Sequence, residues 1–174
     1  MTTGIIRIAA CAVLLGTAAH AQSESTNRVG ANTDWSVFVE GDPKECWAVS
    51  QPKETVNTRD GRVVAVRRGD ILMFVTWRPG SNVRGEVAFT GGYPFAPGST
   101  VSLDIGGKVF ELPVDGEWAY PDSPEQDAEI VAAMKQGAQA VVSARSSRGT
   151  LTRDTFSLLG FTASVDDAAA RCAQ

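Results

Sequence analysis

The chain of 174 residues carries 16 basic and 20 acidic side chains and one histidine, a net charge of −4. A balance this mildly acidic supplies no electrostatic pull toward nucleic acid or anionic lipid. The length suits one domain with a substantial core rather than several.

Residues 1–21 read as a cleaved secretory signal. Arg7 is the one charged side chain there, a short apolar run follows over residues 8–16, and Ala19-His20-Ala21 gives the small-x-small cut, with Gln22 as the new N-terminus. The apolar run is shorter than a membrane span. Removing 21 residues and their one arginine leaves 153 residues with 15 basic and 20 acidic groups, a balance of −5. Cys11 and His20 leave too, so the mature chain has no histidine and two cysteines, Cys46 and Cys172. An even pair in an exported chain reads as a disulfide. It would tie the C-terminal tail to an early strand and close a loop of over a hundred residues, stabilising by roughly 4–5 kcal/mol at most.

Residues 22–34, rich in Ser, Thr, Asn and Gly, are predicted as a flexible leader, and 35–174 as one domain. Trp35, Val37 and Val39 alternate with Ser36, Phe38 and Glu40, the period of a strand. A second short strand covers residues 46–50. A polar stretch then ends in Asp60-Gly61, a turn signal. Residues 62–67 and 71–77 are the next strands, and the latter is apolar on both faces, which predicts burial on both sides. Residues 85–90 form another strand before a loop dense in Gly and Pro over residues 91–98. Val101, Leu103 and Ile105 alternate again, and Gly106-Gly107 supplies a tight hairpin turn before residues 109–112 return. Ser123-Pro-Glu-Gln126 is a capping-box pattern. It opens a helix with Ala128, Val131 and Met134 on one face and Gly137 as its stop. Strands over residues 140–145 and 151–158 follow, and a short closing helix over residues 164–170 has Ser164 as cap. Short strands separated by turn residues predict a mostly β fold, an antiparallel sandwich of immunoglobulin-like or related type. One internal helix and one short C-terminal helix complete it.

The lack of histidine excludes a Ser-His-Asp triad, a Cys-His pair and His-ligated zinc in the mature chain. No cofactor motif is present. Ser50-Gln-Pro-Lys53 matches Ser-x-x-Lys, but Pro52 interrupts the helical turn that chemistry needs. Arg68-Gly69-Asp70 is an adhesive-type tripeptide and also a plain strand connection. Asp122, Glu125, Asp127 and Glu129 crowd a helix N-terminus, where negative charge is stabilising by itself. Arg145, Arg148, Arg153 and Asp154 flank a glycine turn that could hold an anion or simply end a hairpin in solvent. Tyr93, Phe95, Trp118 and Tyr120 are aromatics near Gly/Pro loops. Tyr93, Pro94 and Phe95 are taken as the candidate interaction loop. Pro94 and Pro97 stiffen the surrounding loop over residues 91–98, and stiff aromatics make good anchors. The competing account folds Tyr93 and Phe95 inward to close the core.

Phe89-Thr-Gly-Gly-Tyr-Pro-Phe95, Gly98-Ser-Thr-Val101, Ala132-Ala-Met-Lys-Gln-Gly137, Ser147-Arg-Gly-Thr150 and Asp154-Thr-Phe-Ser-Leu-Leu-Gly-Phe161 together resemble the invasion-associated locus B family, as does the strand opened by Trp35. The resemblance runs from about Trp35 to Cys172. It implies an exported β-sandwich of Gram-negative bacteria, periplasmic or associated with the outer envelope, and carries over no catalytic or ligand-binding residues. Many members have a second cysteine pair, which this chain lacks. The leading functional expectation is a non-enzymatic envelope protein acting through surface interactions. Its partner would be an envelope or host-surface protein, and the mature chain would have no membrane span. The alternatives are a small-ligand or glycan-binding sandwich and a His-free hydrolase using paired carboxylates.

Overall fold

The computed structural model describes residues 27–173; the expected signal and the first residues of the expected leader lie outside them. Twelve strands form one sheet, and every pairing among the described residues is antiparallel. They are β1 (Arg28–Asn32), β2 (Trp35–Gly41), β3 (Lys44–Ser50), β4 (Glu54–Arg59), β5 (Arg62–Val63), β6 (Leu72–Arg78), β7 (Val83–Thr90), β8 (Thr100–Ile105), β9 (Lys108–Asp115), β10 (Trp118–Ala119), β11 (Gln139–Arg145) and β12 (Leu151–Ser157). Helix α1 spans Pro124–Gln136 and α2 spans Phe161–Cys172.

The strands run in the order β1-β2-β3-β6-β7-β10-β9-β8-β11-β12-β4-β5. The two-residue β10 bridges β7 to β9 and so joins two halves of one open sheet. The halves fold face to face. Phe89 of β7 meets Phe156 of β12 edge-on at 6.1 Å between ring centroids. Alternation explains which side chains lie between them. Trp35, Met73, Val75, Val87 and Phe89 come from one half; Val101, Leu103, Phe110, Leu112, Val142 and Phe156 come from the other, and all are buried.

Gly106 and Gly107 take positive φ of 62° and 91° in the two-residue β8–β9 turn, as that hairpin geometry requires. Helix α1 has the expected cap. The Ser123 hydroxyl accepts from the Gln126 N–H, and the Gln126 side chain accepts in turn from the Asp122 N–H. Its buried face is Ile130 and Met134, with Val131 half-buried and Ala128 exposed. Gly137 ends the helix in extended backbone. It is glycine because a Cβ there would lie 2.8 Å from Ile105 Cγ2.

Four expectations are corrected. The stretch read as a flexible leader contains β1, which pairs with β2. Residues 62–67 form a strand only over Arg62–Val63 at the sheet edge, where Val63 finds no core and is exposed. Helix α2 begins at Phe161, not Ser164. The need to bury Phe161 against Trp35, 4.8 Å between centroids, overrides the capping signal of Ser164, which is itself buried. Finally, β6 lies between β3 and β7 as its apolar run suggests, but its second face opens toward solvent. Met73 and Val75 are fully buried inward, whereas Leu72 and Phe74 on the outer side are half-buried.

Candidate interaction face and arginine-lined cleft

The outer side of the β1-to-β7 half carries side chains that alternation would normally make polar. Phe38, Trp47, Phe74 and Trp118 occupy outward positions on β2, β3, β6 and β10. Phe38 and Trp47 are direct cross-strand partners, stacked with 3° between planes and 5.5 Å between centroids. Phe74 meets Trp118 at 5.8 Å, and Trp118 stacks on Tyr120 at 6.2 Å. Each stacked ring gives one of its faces to a neighbour. No described helix lies over this row; α2 packs against the inner side through Val165, Ala168 and Cys172, beside Val37 and Cys46. At one end of the row Arg78 donates to Glu45 and Glu86, each at 2.8 Å, which pins β3, β6 and β7 together. Burial, reinforced by Glu86 and Asp115, pushes the Tyr120 phenol up.

The Tyr93-Pro94-Phe95 loop lies elsewhere. Phe95 is 4% exposed and packs on Phe89 and Tyr93 inside the core. Backbone hydrogen bonds from Phe95 to Gly116, from Ala96 to Arg145 and from Ser147 to Pro94 stitch the segment across the end of the sandwich. Phe95 therefore closes the core and is not an exposed anchor. A fully desolvated ring between Phe89 and the β11–β12 turn is worth more there than in water. Tyr93 is half-buried; its hydroxyl shares a 2.5 Å hydrogen bond with Thr152, and the Arg68 guanidinium sits 4.9 Å from its ring centroid. Burial raises the Tyr93 phenol above its ordinary value. Pro94 is exposed.

Tyr93 and Pro94 line a cleft of about 540 Å³ between residues 66–68, the loop at 92–94 and the β11–β12 turn. Arg68 forms its floor. The guanidinium grips Asp154 through two parallel hydrogen bonds of 2.7 and 2.6 Å and donates a third to the Gly91 carbonyl. Burial pushes the Asp154 carboxyl up, and the guanidinium opposes that. Gly69 and Gly92 touch backbone to backbone; a Cβ on Gly92 would lie 2.6 Å from Gly69, and its φ is +70°. With Arg68 spent on Asp154, the Arg68-Gly69-Asp70 tripeptide is a structural connection. Of the arginines flanking the glycine turn, Arg148 faces this cleft, while Arg145 and Arg153 line a shallow groove over residues of β4, β8 and β12.

The remaining sequence candidates resolve locally. Ser50 donates to the Asp34 carbonyl at 2.7 Å, and Lys53 pairs with the Asp34 carboxylate, so the two do not form a nucleophile and base. Asp127 accepts from the Val87 N–H at 2.7 Å and clips α1 to β7; burial raises its carboxyl to about 6. No group of three or more His, Cys, Asp or Glu among the described residues could hold a metal ion. Cys46 of β3 and Cys172 of α2 are disulfide-bonded.

A family model described as Invasion associated locus B (IalB) protein matches residues 35–169. The chain belongs to the IalB family. A crystal structure of invasion associated protein B from Bartonella henselae superposes with a TM-score of 0.56 at 19% identity, covering 83% of this chain and 98% of that one. At that identity the likeness is one of fold, and it places the open antiparallel sandwich within the IalB architecture. No curated protein matches. Sequence reasoning named Trp118 and Tyr120 but missed Phe38, Trp47 and Phe74 as members of one face. The available signal was the aromatic residue at outward strand positions, read instead as alternation for Phe38 and as two-sided burial for β6.

Proposed function

We propose that this IalB-family protein is exported to the periplasm or the outer envelope and acts there by binding, holding a partner protein against the open aromatic face. The observation that carries the reading is the row formed by Phe38, Trp47, Phe74, Trp118 and Tyr120 on a sheet face over which no described helix lies. Large rings on a stable sheet are rigid anchors that lose little entropy on binding. Because the rings stack on one another, few free faces are left for a sugar, whereas protein side chains can pack against their edges. Mixed charge beside the rings, from Arg78, Glu45 and Glu86, supplies a polar rim. The signal-like residues 1–21 and the Cys46–Cys172 disulfide support an oxidising, extracytoplasmic site of action. A binding role also suits a chain whose single histidine is His20.

The test is site-specific photo-crosslinking in intact cells. A photoreactive residue placed at Trp118 should give a discrete protein adduct, and one at Val109, exposed on the other half of the sheet, should not. Trp47→Ser with Phe74→Ser should abolish the adduct without unfolding the domain. Equal adducts from both positions, or saturable binding of a neutral glycan that these substitutions remove, would replace this reading.

A further inference from the structure

The cleft floored by Arg68 concentrates positive charge on a chain that is acidic overall. Arg59 at the end of β4, Arg67 in the connection before β6, and Arg148 in the β11–β12 turn reach it from three separate segments. None of the three takes part in an ion pair among the described residues. Arg59 donates to the Thr150 hydroxyl at 2.6 Å, which orients the guanidinium without neutralising it. Arg68 is already cancelled by Asp154. One carboxylate, Glu117, shares the lining. Three unpaired guanidinium groups against one carboxylate leave a surplus of two positive charges.

Like charges gathered in one cleft repel, and among the described residues only the Arg59–Thr150 hydrogen bond gives one of them a structural role there. Guanidinium forks match tetrahedral oxyanions, and a phosphomonoester carries close to two negative charges at neutral pH. The volume is far larger than one phosphate needs and falls in the range of small-molecule sites. The exposed hydroxyl of Ser147 in the wall suits a polar carrier. We infer that the cleft binds a phosphomonoester on a small polar carrier. The aromatic face plays no part in this.

Two sources share that chemistry, a soluble sugar phosphate and a phosphomonoester lipid headgroup. The full chain with its disulfide formed should be titrated calorimetrically with glucose 6-phosphate and with glucose, and sedimented with vesicles containing phosphatidic acid. Saturable binding of glucose 6-phosphate, with glucose silent, supports a soluble ligand. Vesicle binding alone supports the headgroup. In either case Arg67→Ala with Arg148→Ala should weaken binding roughly tenfold or more. Both side chains are exposed and unpaired, so the melting temperature should not move. Glu117→Gln should tighten binding, and added salt should weaken it. Trp47→Ser with Phe74→Ser should leave it unchanged. Absence of binding to both probes, binding of glucose as strong as that of its phosphate, or full affinity in the double arginine variant would overturn the inference.

Discussion

Arg68 and Asp154 lie 86 positions apart and meet in a paired, two-bond clasp whose side chains are 6% and 0% exposed. The clasp fixes the irregular chain before β6 to the middle of β12. Removing one partner strands the other charge in a desolvated place. Asp154→Ala and Arg68→Ala are each expected to cost about 3–5 kcal/mol. The double variant should lose less than the sum. Denaturant unfolding of the four proteins checks this, and strict additivity would mean that the pair is not coupled.

The Tyr93-Pro94-Phe95 segment should divide sharply on mutation. Phe95→Ala empties a core site and is expected to cost about 3–5 kcal/mol. Tyr93→Phe removes the hydrogen bond to Thr152 and should cost about 1 kcal/mol. Pro94→Ala, on the exposed tip, should stay within about 0.5 kcal/mol. Urea melts of the three variants give the ranking directly.

Reducing the Cys46–Cys172 disulfide frees two points 126 residues apart in sequence. Stability should fall by up to about 4–5 kcal/mol while the β-rich far-ultraviolet signal at 25 °C persists. Reduced protein that has lost all secondary structure under native buffer would show that the sheet depends on the bridge.

Asp127 should make stability depend on pH between its unfolded value of 3.8 and its folded value of about 6. Across that window the folded state holds more protons than the unfolded one, so stability declines as pH rises and levels off above the folded value. Asp127→Asn keeps an acceptor for the Val87 N–H and carries no such loss. The variant should therefore gain on the parent from pH 4 to pH 8, by about 1 kcal/mol once solvent screening of a half-exposed group is allowed for. Unfolding free energies at the two pH values test the sign. A constant difference would place the titration elsewhere.

Local signals carried the architecture where one short-range rule dominated. The Ser123 cap, the Gly106-Gly107 hairpin and the alternation of Val101, Leu103 and Ile105 are such cases; the Cys46–Cys172 pair, 126 residues apart, was legible only by counting cysteines. They did not reveal contacts set by distant chain. Whether Phe95 points in depends on Phe89 and Ser146, and the start of α2 depends on Trp35. The cleft escaped for the same reason, since Arg59, Arg67 and Arg148 become neighbours only when the 59–68 segment lies beside the β11–β12 turn. The aromatic face was hidden differently. Outward rings on β6 imitate a strand covered on both sides, because hydropathy alone does not distinguish a buried face from an open one.

Helix α2 is fastened at both ends to the first strands. Gly160, at φ +85°, sits so close to Asn32 of β1 that any side chain there would strike its carbonyl, and Cys172 is bonded to β3. A chain made or threaded N-terminus first therefore presents Val37 and Cys46 long before their cover exists. Until Cys172 arrives, the one other cysteine of the chain is Cys11, in the residues that the sequence predicts to be cut away. Once those residues are removed, as expected, Cys46 can pair with a foreign thiol but not with a wrong internal one, so errors of oxidation then take the form of mixed disulfides between molecules and not of scrambled monomers.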